Sequence, residues 1–361
     1  MIVTNKVDVI FGLQYGDEGK GKIAAAIAQL KAHNLTARYN GGPNAGHTIV
    51  REDGKRFELH QLPSSVVYGG DAYIGPGTVL DIDKLDQEIE TVLSKDPTLN
   101  FNLYIDPRVP VIDTSHIIED TDYQHRFQGS TNSGIAPAYA SFYNRRARTV
   151  VDEIEDNPPK PTRSYTVKKI DCVNSLLLEG AQGFYLDINQ GVYPYTTSSH
   201  CLPAAAAATF GFDPRTFRNI IGVAKCYETR SGTDPYFYEH ECRDQMPLFD
   251  QIRRAGREVG VTTGRDRKVN YLDLDKLVNA IISSGTNIVV INKWDILEEL
   301  QVFKLWYNKN LINFKTLELM QTFVEETINF KCLNAFENDS QTPIVIHSSS
   351  PQNDIDWSKF F

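Results

Sequence analysis

The 361-residue chain predicts an α/β fold, with one large domain over residues 1–361 and a mostly parallel central sheet flanked by helices. Three observations lead there. Short β-rich apolar runs alternate with helix-like stretches to the end of the chain. The first run stops at Gly12, passes through a turn rich in glycine and lysine, and enters an alanine-rich segment before a second strand-like run. No repeat period and no obvious linker divides the chain.

Strands are predicted over 7–11 and 35–39, the second ending in Asn40-Gly41-Gly42-Pro43, which cannot continue regular structure. Between them, residues 23–30 read as helix because alanine dominates. Further strands are expected over 72–74, 103–105, 175–178, 220–224, 288–292 and 343–346. A helix over 82–95 follows from Asp81 as N-cap and from Ile82, Leu85, Ile89, Val92 and Leu93 on one face. A second is expected over 273–282. The one compositional break, an acidic run from Asp152 followed by three prolines, predicts a surface connector over 152–163 inside the domain.

Charge narrows the function. Lys and Arg number 37 against 46 Asp and Glu, a net charge of −9, so bulk attraction to nucleic acid or an anionic membrane is not expected. No run approaches the roughly 18 apolar residues of a membrane span, and no secretory leader pattern opens the chain, so a cytoplasmic protein is expected. The cysteines, Cys172, Cys201, Cys226, Cys242 and Cys332, are scattered without a Cys-x-x-Cys pair, which argues against disulfides and zinc. The cysteines, His200 and His240 are read as structural, and any phosphate chemistry must come from a local site.

Three motifs carry chemistry. Gly16-Asp17-Glu18-Gly19-Lys20-Gly21-Lys22 places glycines and lysines where a helix starts, suited to phosphate oxygens. It is a partial P-loop, with Ile23 where the full motif has Ser or Thr, and a turn with a polar helix start is the other reading. Asn292-Lys293-Trp294-Asp295 follows an apolar run. An Asp there can accept the N1–H and N2–H of guanine, though a solvated strand end has the same composition. Asn44-Ala45-Gly46-His47-Thr48 follows the second strand, at the strand ends where α/β sheets bind ligands. Together these predict a P-loop-NTPase-like nucleotide site.

The combination resembles the adenylosuccinate synthetase family. Further blocks agree in the family's order: Gly129-Ser130-Thr131, Gly134 to Tyr139, Glu179-Gly180-Ala181-Gln182-Gly183, Leu186-Asp187-Ile188, Tyr193 to Ser199 and Thr262-Thr263-Gly264-Arg265-Asp266-Arg267. The resemblance implies a carbon–nitrogen ligase of purine biosynthesis. It would join L-aspartate to C6 of a 6-oxopurine nucleoside monophosphate through a 6-phosphoryl intermediate, driven by a nucleoside triphosphate, GTP by default. It assigns Asp17 as catalytic base and magnesium ligand, His47 as acid partner, Lys20 at the β- and γ-phosphates, Gln182 at the 6-oxygen and the Gly46 carbonyl as second Mg2+ contact. Asn44, Ser130, Thr131, Gln182, Thr197 and Arg265 would bind the purine monophosphate. Arg145 would cross a homodimer interface onto the neighbour's monophosphate. Thr262, Thr263, Arg265 and Arg267 would hold aspartate. Gly16, Glu18, Gly19, Lys20, Gly21, Lys22, Arg267, Asn292, Lys293, Asp295 and Ser348 would hold the donor nucleotide.

The chain departs from the family in places. Its usual helical cap between Arg148 and Leu176 is missing, Ser133 stands in place of an arginine, Asp266 interrupts the arginines, and Ser350 stands in place of a glycine. Compact relatives in phages whose DNA contains 2-aminoadenine take dGMP, some with ATP or dATP; a chain of that branch would work in the host cytoplasm. Some of these replace the catalytic Asp by Ser, and retention of Asp17 favours IMP. Two other classes, a GTPase switch and an inactive nucleotide-binding relative, leave either Asn44–Thr48 or the intact Asp17, His47 and Gln182 unexplained.

Overall fold

Strands that are apolar on both faces can be buried only if helices cover both sides, and nine such segments pair in parallel here. The computed structural model describes residues 2–124, 129–156, 165–237, 243–260, 264–336 and 342–361. In chain order the strands are β1 (Lys6–Gly12), β2 (Leu35–Arg38), β3 (His47–Val50), β4 (Arg56–Leu59), β5 (Ala72–Ile74), β6 (Leu103–Ile105), β7 (Tyr165–Val167) and β8 (Ser175–Glu179). They continue with β9 (Phe217–Lys225), β10 (Tyr227–Arg230), β11 (Lys268–Asp273), β12 (Ile288–Asn292), β13 (Lys304–Tyr307), β14 (Asn310–Asn313) and β15 (Ile344–His347). The helices are α1 (Lys20–Gln29), α2 (Ile82–Lys95), α3 (Thr114–Gln124), α4 (Ile135–Tyr143), α5 (Val150–Asp156), α6 (Pro203–Phe210), α7 (Met246–Gly256), α8 (Leu274–Ser284), α9 (Trp294–Glu299) and α10 (Leu317–Phe336).

The main sheet runs β15-β12-β9-β1-β8-β2-β5-β6-β7, every neighbouring pair parallel. A smaller sheet, β10-β11-β13-β14, and the hairpin β3-β4 complete the strands. The chain leaves β1, crosses through α1 and returns as β2, yet β8 lies between them, with Leu176 facing Val7 on one side and Leu35 on the other. Their carboxyl ends therefore meet at Gly12, Glu179 and Arg38, a crevice of the kind in which open α/β sheets bind ligands.

The expected spans 72–74, 103–105, 288–292 and 82–95 coincide with β5, β6, β12 and α2. Asp81 caps α2, its carboxylate accepting the Lys84 amide at 3.1 Å. Asp273 is the N-cap of α8 rather than its first residue. The expected helix after the first loop begins three residues earlier, at Lys20, so both lysines of the loop lie in its first turn.

The connector over 152–163 needs correction at its start. Its first residues finish α5, where the Asp152 carboxylate accepts the Thr149 amide and hydroxyl, both at 2.8 Å, and Val150 is fully buried. An acidic run at a helix N-terminus complements the helix dipole, which a reading by composition overlooks. Residues 157–163 lie outside the described residues.

Candidate active site

The loop from β1 to α1 is built around its own carboxylate. Glu18 is 1% exposed and accepts the amides of Gln14 at 3.2 Å and Gly16 at 2.7 Å. Its other oxygen holds the Lys20 ammonium at 2.6 Å. The Glu18 side chain thus faces inward, so of this residue only the backbone remains to meet a nucleotide. Gly16 and Asp17 both adopt left-handed backbone, φ 87° and 62°, and the Asp17 carboxylate, partly exposed, lies against Arg267. Such a conformation at a non-glycine residue is uncommon and concentrates at functional sites. Gln182, Lys293 and Arg145 share it, at φ 55°, 74° and 59°.

His47 opens β3 and lies against α1, where a Cβ on Gly21 would come within 2.5 Å of the His47 Cβ. Its Nδ1 bonds Glu179, the last residue of β8, which also accepts the Ser64 amide at 2.7 Å and hydroxyl at 2.6 Å. Burial opposes a charge on Glu179, but His47, the buried Arg38 and Ser64 outweigh it and hold the carboxylate below its ordinary pKa. An ionised carboxylate only accepts, so Nδ1 carries the proton and Nε2 is the nitrogen left for chemistry. Burial draws the His47 pKa down, against the pull of Glu179.

Two loops are stitched beside it. Asn40 donates to the Ala181 carbonyl at 3.2 Å and accepts the Ala181 amide at 2.8 Å, which sets Gln182 next to Gly41. Gln182 Oε1 and Asn44 Oδ1 are buried without a hydrogen-bond partner, a costly state for polar atoms unless a ligand completes them.

At the end of β12, Asn292 donates to the Glu18 carbonyl at 2.7 Å and so ties the donor-base segment to the first loop. The Lys293 ammonium instead holds the Gly256 carbonyl at 2.9 Å. Lys22 reaches the chain's last block, donating to Ser348 Oγ at 2.8 Å and the Ser350 carbonyl at 2.9 Å. Desolvation lowers its pKa to about 8 despite Asp354 and Asp295 nearby. Asp354 accepts the Ser348 hydroxyl at 2.7 Å.

On the opposite wall Ser130 and Thr131 lie on a loop held by Asp120, whose oxygens accept Ser130 Oγ and the Gly134 amide, both at 2.9 Å. Arg265 leans onto this loop, donating to the Gly129 carbonyl at 3.0 Å and the Ser130 carbonyl at 3.3 Å. Thr197 is half-buried and its amide is fixed by the Leu186 carbonyl at 2.8 Å. Arg267 Nε sits 2.8 Å from Asp17 Oδ2, off the hydrogen-bonding direction, so charge holds this pair. Arg145 is exposed at the end of α4 and reaches none of these groups. Thr262 and Thr263 lie outside the described residues.

Several residues here escape sequence reasoning. Glu179 shows one signal, a carboxylate ending the apolar run Ser175–Glu179; Asp120, Glu258 and Asp354 show none, because only folding brings them near the site.

A phosphate-type loop, a base-reading segment and a carboxylate–imidazole pair at one parallel-sheet edge define a nucleotide-dependent enzyme of the α/β class. The chain belongs to the adenylosuccinate synthetase family. That family's model matches residues 9–160 and 157–327. The adenylosuccinate synthetase of Thermodesulfovibrio yellowstonii is 32% identical over 98% of this chain and 92% of its own length. That of Cytophaga hutchinsonii is likewise 32% identical, over 98% and 92%. Among solved structures, the fully ligated adenylosuccinate synthetase of Plasmodium falciparum matches with a TM-score of 0.72 at 23% identity, covering 96% of this chain and 98% of that one. The cyanophage S-2L succinoaminodeoxyadenylate synthetase, bound to dGMP and dATP, matches with a TM-score of 0.71 at 21% identity, covering 97% and 94%. The chain is accordingly a ligase of purine nucleotide biosynthesis. No helix among the described residues is long and apolar enough to cross a membrane.

Proposed function

We propose that this enzyme joins L-aspartate to C6 of IMP, converting GTP to GDP and phosphate and releasing adenylosuccinate. The observation that carries the reading is the meeting of Asp17, the His47–Glu179 pair and Gln182, whose buried Oε1 has no partner, at the carboxyl ends of β1 and β8. A 6-oxygen cannot leave as hydroxide, so it must first be phosphorylated. Asp17, whose carboxylate is partly exposed beside Arg267, takes the purine N1 proton and charge builds on the 6-oxygen. Gln182 steadies that oxygen. His47, with Nδ1 fixed by Glu179, needs a second proton on Nε2, favoured by the Glu179 charge, to donate to the oxygen as the γ-phosphoryl group arrives. Lys20 and the amides at the start of α1 offset the phosphate charge. The aspartate amine then displaces phosphate from C6 while Arg265, Arg267, Thr262 and Thr263 hold its carboxylates.

Among the described residues no group of three His, Cys, Asp or Glu side chains is arranged to hold a metal. Asp17 and the Gly46 carbonyl offer two hard oxygen donors, which fits Mg2+, an ion commonly held by one or two carboxylates together with substrate phosphates. Bound there it would neutralise charge on the donor's phosphates.

Asn44, Ser130, Thr131 and Thr197 bind the monophosphate and ribose. Gly16, Gly19, Gly21, Lys22, Asn292, Lys293, Asp295 and Ser348 take the donor. Arg145 completes a neighbour's monophosphate site in a homodimer. Its place at the exposed end of α4, beside Tyr143 at 70% exposure and Phe142 at 36%, supports an interface there.

A second reading takes dGMP as acceptor and ATP or dATP as donor. It rests on the ability of the Asp17 carboxylate to accept a guanine N2–H and on the fold shared with the dGMP-bound phage protein. A matrix of IMP, dIMP, GMP and dGMP against GTP, ATP and dATP, read as aspartate-dependent product, tests both. IMP with GTP should give the highest kcat/KM. A preference for dGMP would replace the first reading with the second, and donor hydrolysis without aspartate or acceptor would overturn both.

A further inference from the structure

Behind Asp17 lies a buried charge cluster that the reaction scheme above does not use. Glu258 is 1% exposed, and its side chain meets Lys225 at the end of β9, Tyr227 at the start of β10 and Arg267. Its Oε1 accepts the Tyr227 hydroxyl at 2.7 Å; its Oε2 accepts Arg267 Nη1 at 2.7 Å and Lys225 Nζ at 3.1 Å. Its carbonyl accepts the Arg267 amide at 3.0 Å, next to the antiparallel bridge between Val259 and Asp266, and Arg253 Nε fixes the Arg267 carbonyl at 2.6 Å. Lys225 ends β9, and its amide and carbonyl are both gripped by Gln14 of the first loop, at 2.9 and 3.1 Å. One carboxylate therefore links the end of β9, which grips the loop carrying Asp17, to Arg267, whose Nε faces Asp17.

We propose that Glu258 is a positioning residue of this site: its carboxylate holds Arg267 by one nitrogen of the guanidinium so that Nε faces Asp17, and its carbonyl fixes the Arg267 amide. Arginine suits the task because its planar fork can satisfy two carboxylates at once, which a lysine cannot. Glu258 touches no reacting atom in this scheme; it acts through Arg267. The inference rests on the reading of Arg265 and Arg267 as aspartate and donor ligands given above.

The full-length Glu258→Gln variant keeps the shape and loses the charge. Its aspartate KM should rise about tenfold and its kcat fall about tenfold, while the Kd for the purine monophosphate, titrated alone by calorimetry, stays within about threefold. In an Arg267→Gln background the same change should cost less than about twofold further, since contacts acting through one group are not additive. If Glu258→Gln does not fold, Glu258→Asp, which keeps the charge and shortens the reach, is run through the same cycle with the same expectation. Additive losses, or equal losses in monophosphate, donor and aspartate affinity, would overturn the assignment while the site reading stands. A wild-type chain that forms no aspartate-dependent product would overturn both.

Discussion

At the scale of single residues, His47 depends on two neighbours of different kinds. Glu179 fixes its tautomer, so Glu179→Gln should lower kcat about 10²-fold with little change in donor affinity, measured by steady-state kinetics. Gly21 gives it room: with a Cβ only 2.5 Å from the His47 Cβ, Gly21→Ala must push the imidazole aside. The expected outcome is a comparable loss of turnover in a protein whose melting temperature shifts by only a few degrees. Lys22 carries a pH dependence. Burial lowers its pKa to about 8, so the ammonium is present below pH 8 and is lost as pH rises through it. The donor KM should therefore climb above pH 8, and Lys22→Arg, whose charge persists, should flatten that rise.

At the scale of elements, α1 and α2 show local chemistry agreeing with the fold. The Asp81 cap of α2 lies outside the groups assigned to substrate. Asp81→Ala should cost about 1 kcal/mol in urea denaturation and leave kcat unchanged. The α7–β11 connection behaves differently, because its anchor is a buried charge. Burial raises the Glu258 pKa, but Lys225 and Arg267 outweigh it and hold the group at about 2. A carboxylate with a depressed folded-state pKa stabilises the fold above its unfolded value, near 4.5, and loses that contribution as pH falls toward 2. Thermal melts between pH 5 and 2 should therefore fall less steeply for Glu258→Gln than for the wild type.

At the scale of the whole molecule, a net charge of −9 coexists with a local group of cations at the site, among them Lys20, Lys22, Arg265 and Arg267. Such a distribution focuses small anions without attracting polyanions. Arg145 is exposed and meets none of the site residues described above, so the role proposed for it requires a second copy. If it crosses the interface, equal mixing of Arg145→Leu and Asp17→Asn chains, each nearly inactive alone, should restore about a quarter of wild-type activity, since half the dimers then hold one complete site. No recovery after subunit exchange would place Arg145 outside the reaction.

Most of the main sheet was legible because its strands are short apolar runs between turn residues, and such runs announce themselves locally. β5, β6, β12 and α2 have the expected bounds. The hairpin β3-β4, the smaller sheet and the helical start of the acidic run were not read, since each owes its form to pairing or capping partners elsewhere in the chain. The site divides the same way. The Gly16–Lys22 loop, His47, Gln182 and Asn292–Asp295 are contiguous motifs whose residue types state their chemistry, and with them the sequence alone determined the family and the reaction class. Only the tertiary structure decided that Glu18 turns inward, that Glu179 holds His47, and that Glu258 joins Arg267 to Asp17's loop. These contacts join residues far apart in the chain, His47 with Glu179 and Arg267 with Asp17. Parallel pairing of β8 and β9 on either side of β1 brings them together, and a linear pattern holds no signal for which buried carboxylate will meet which cation.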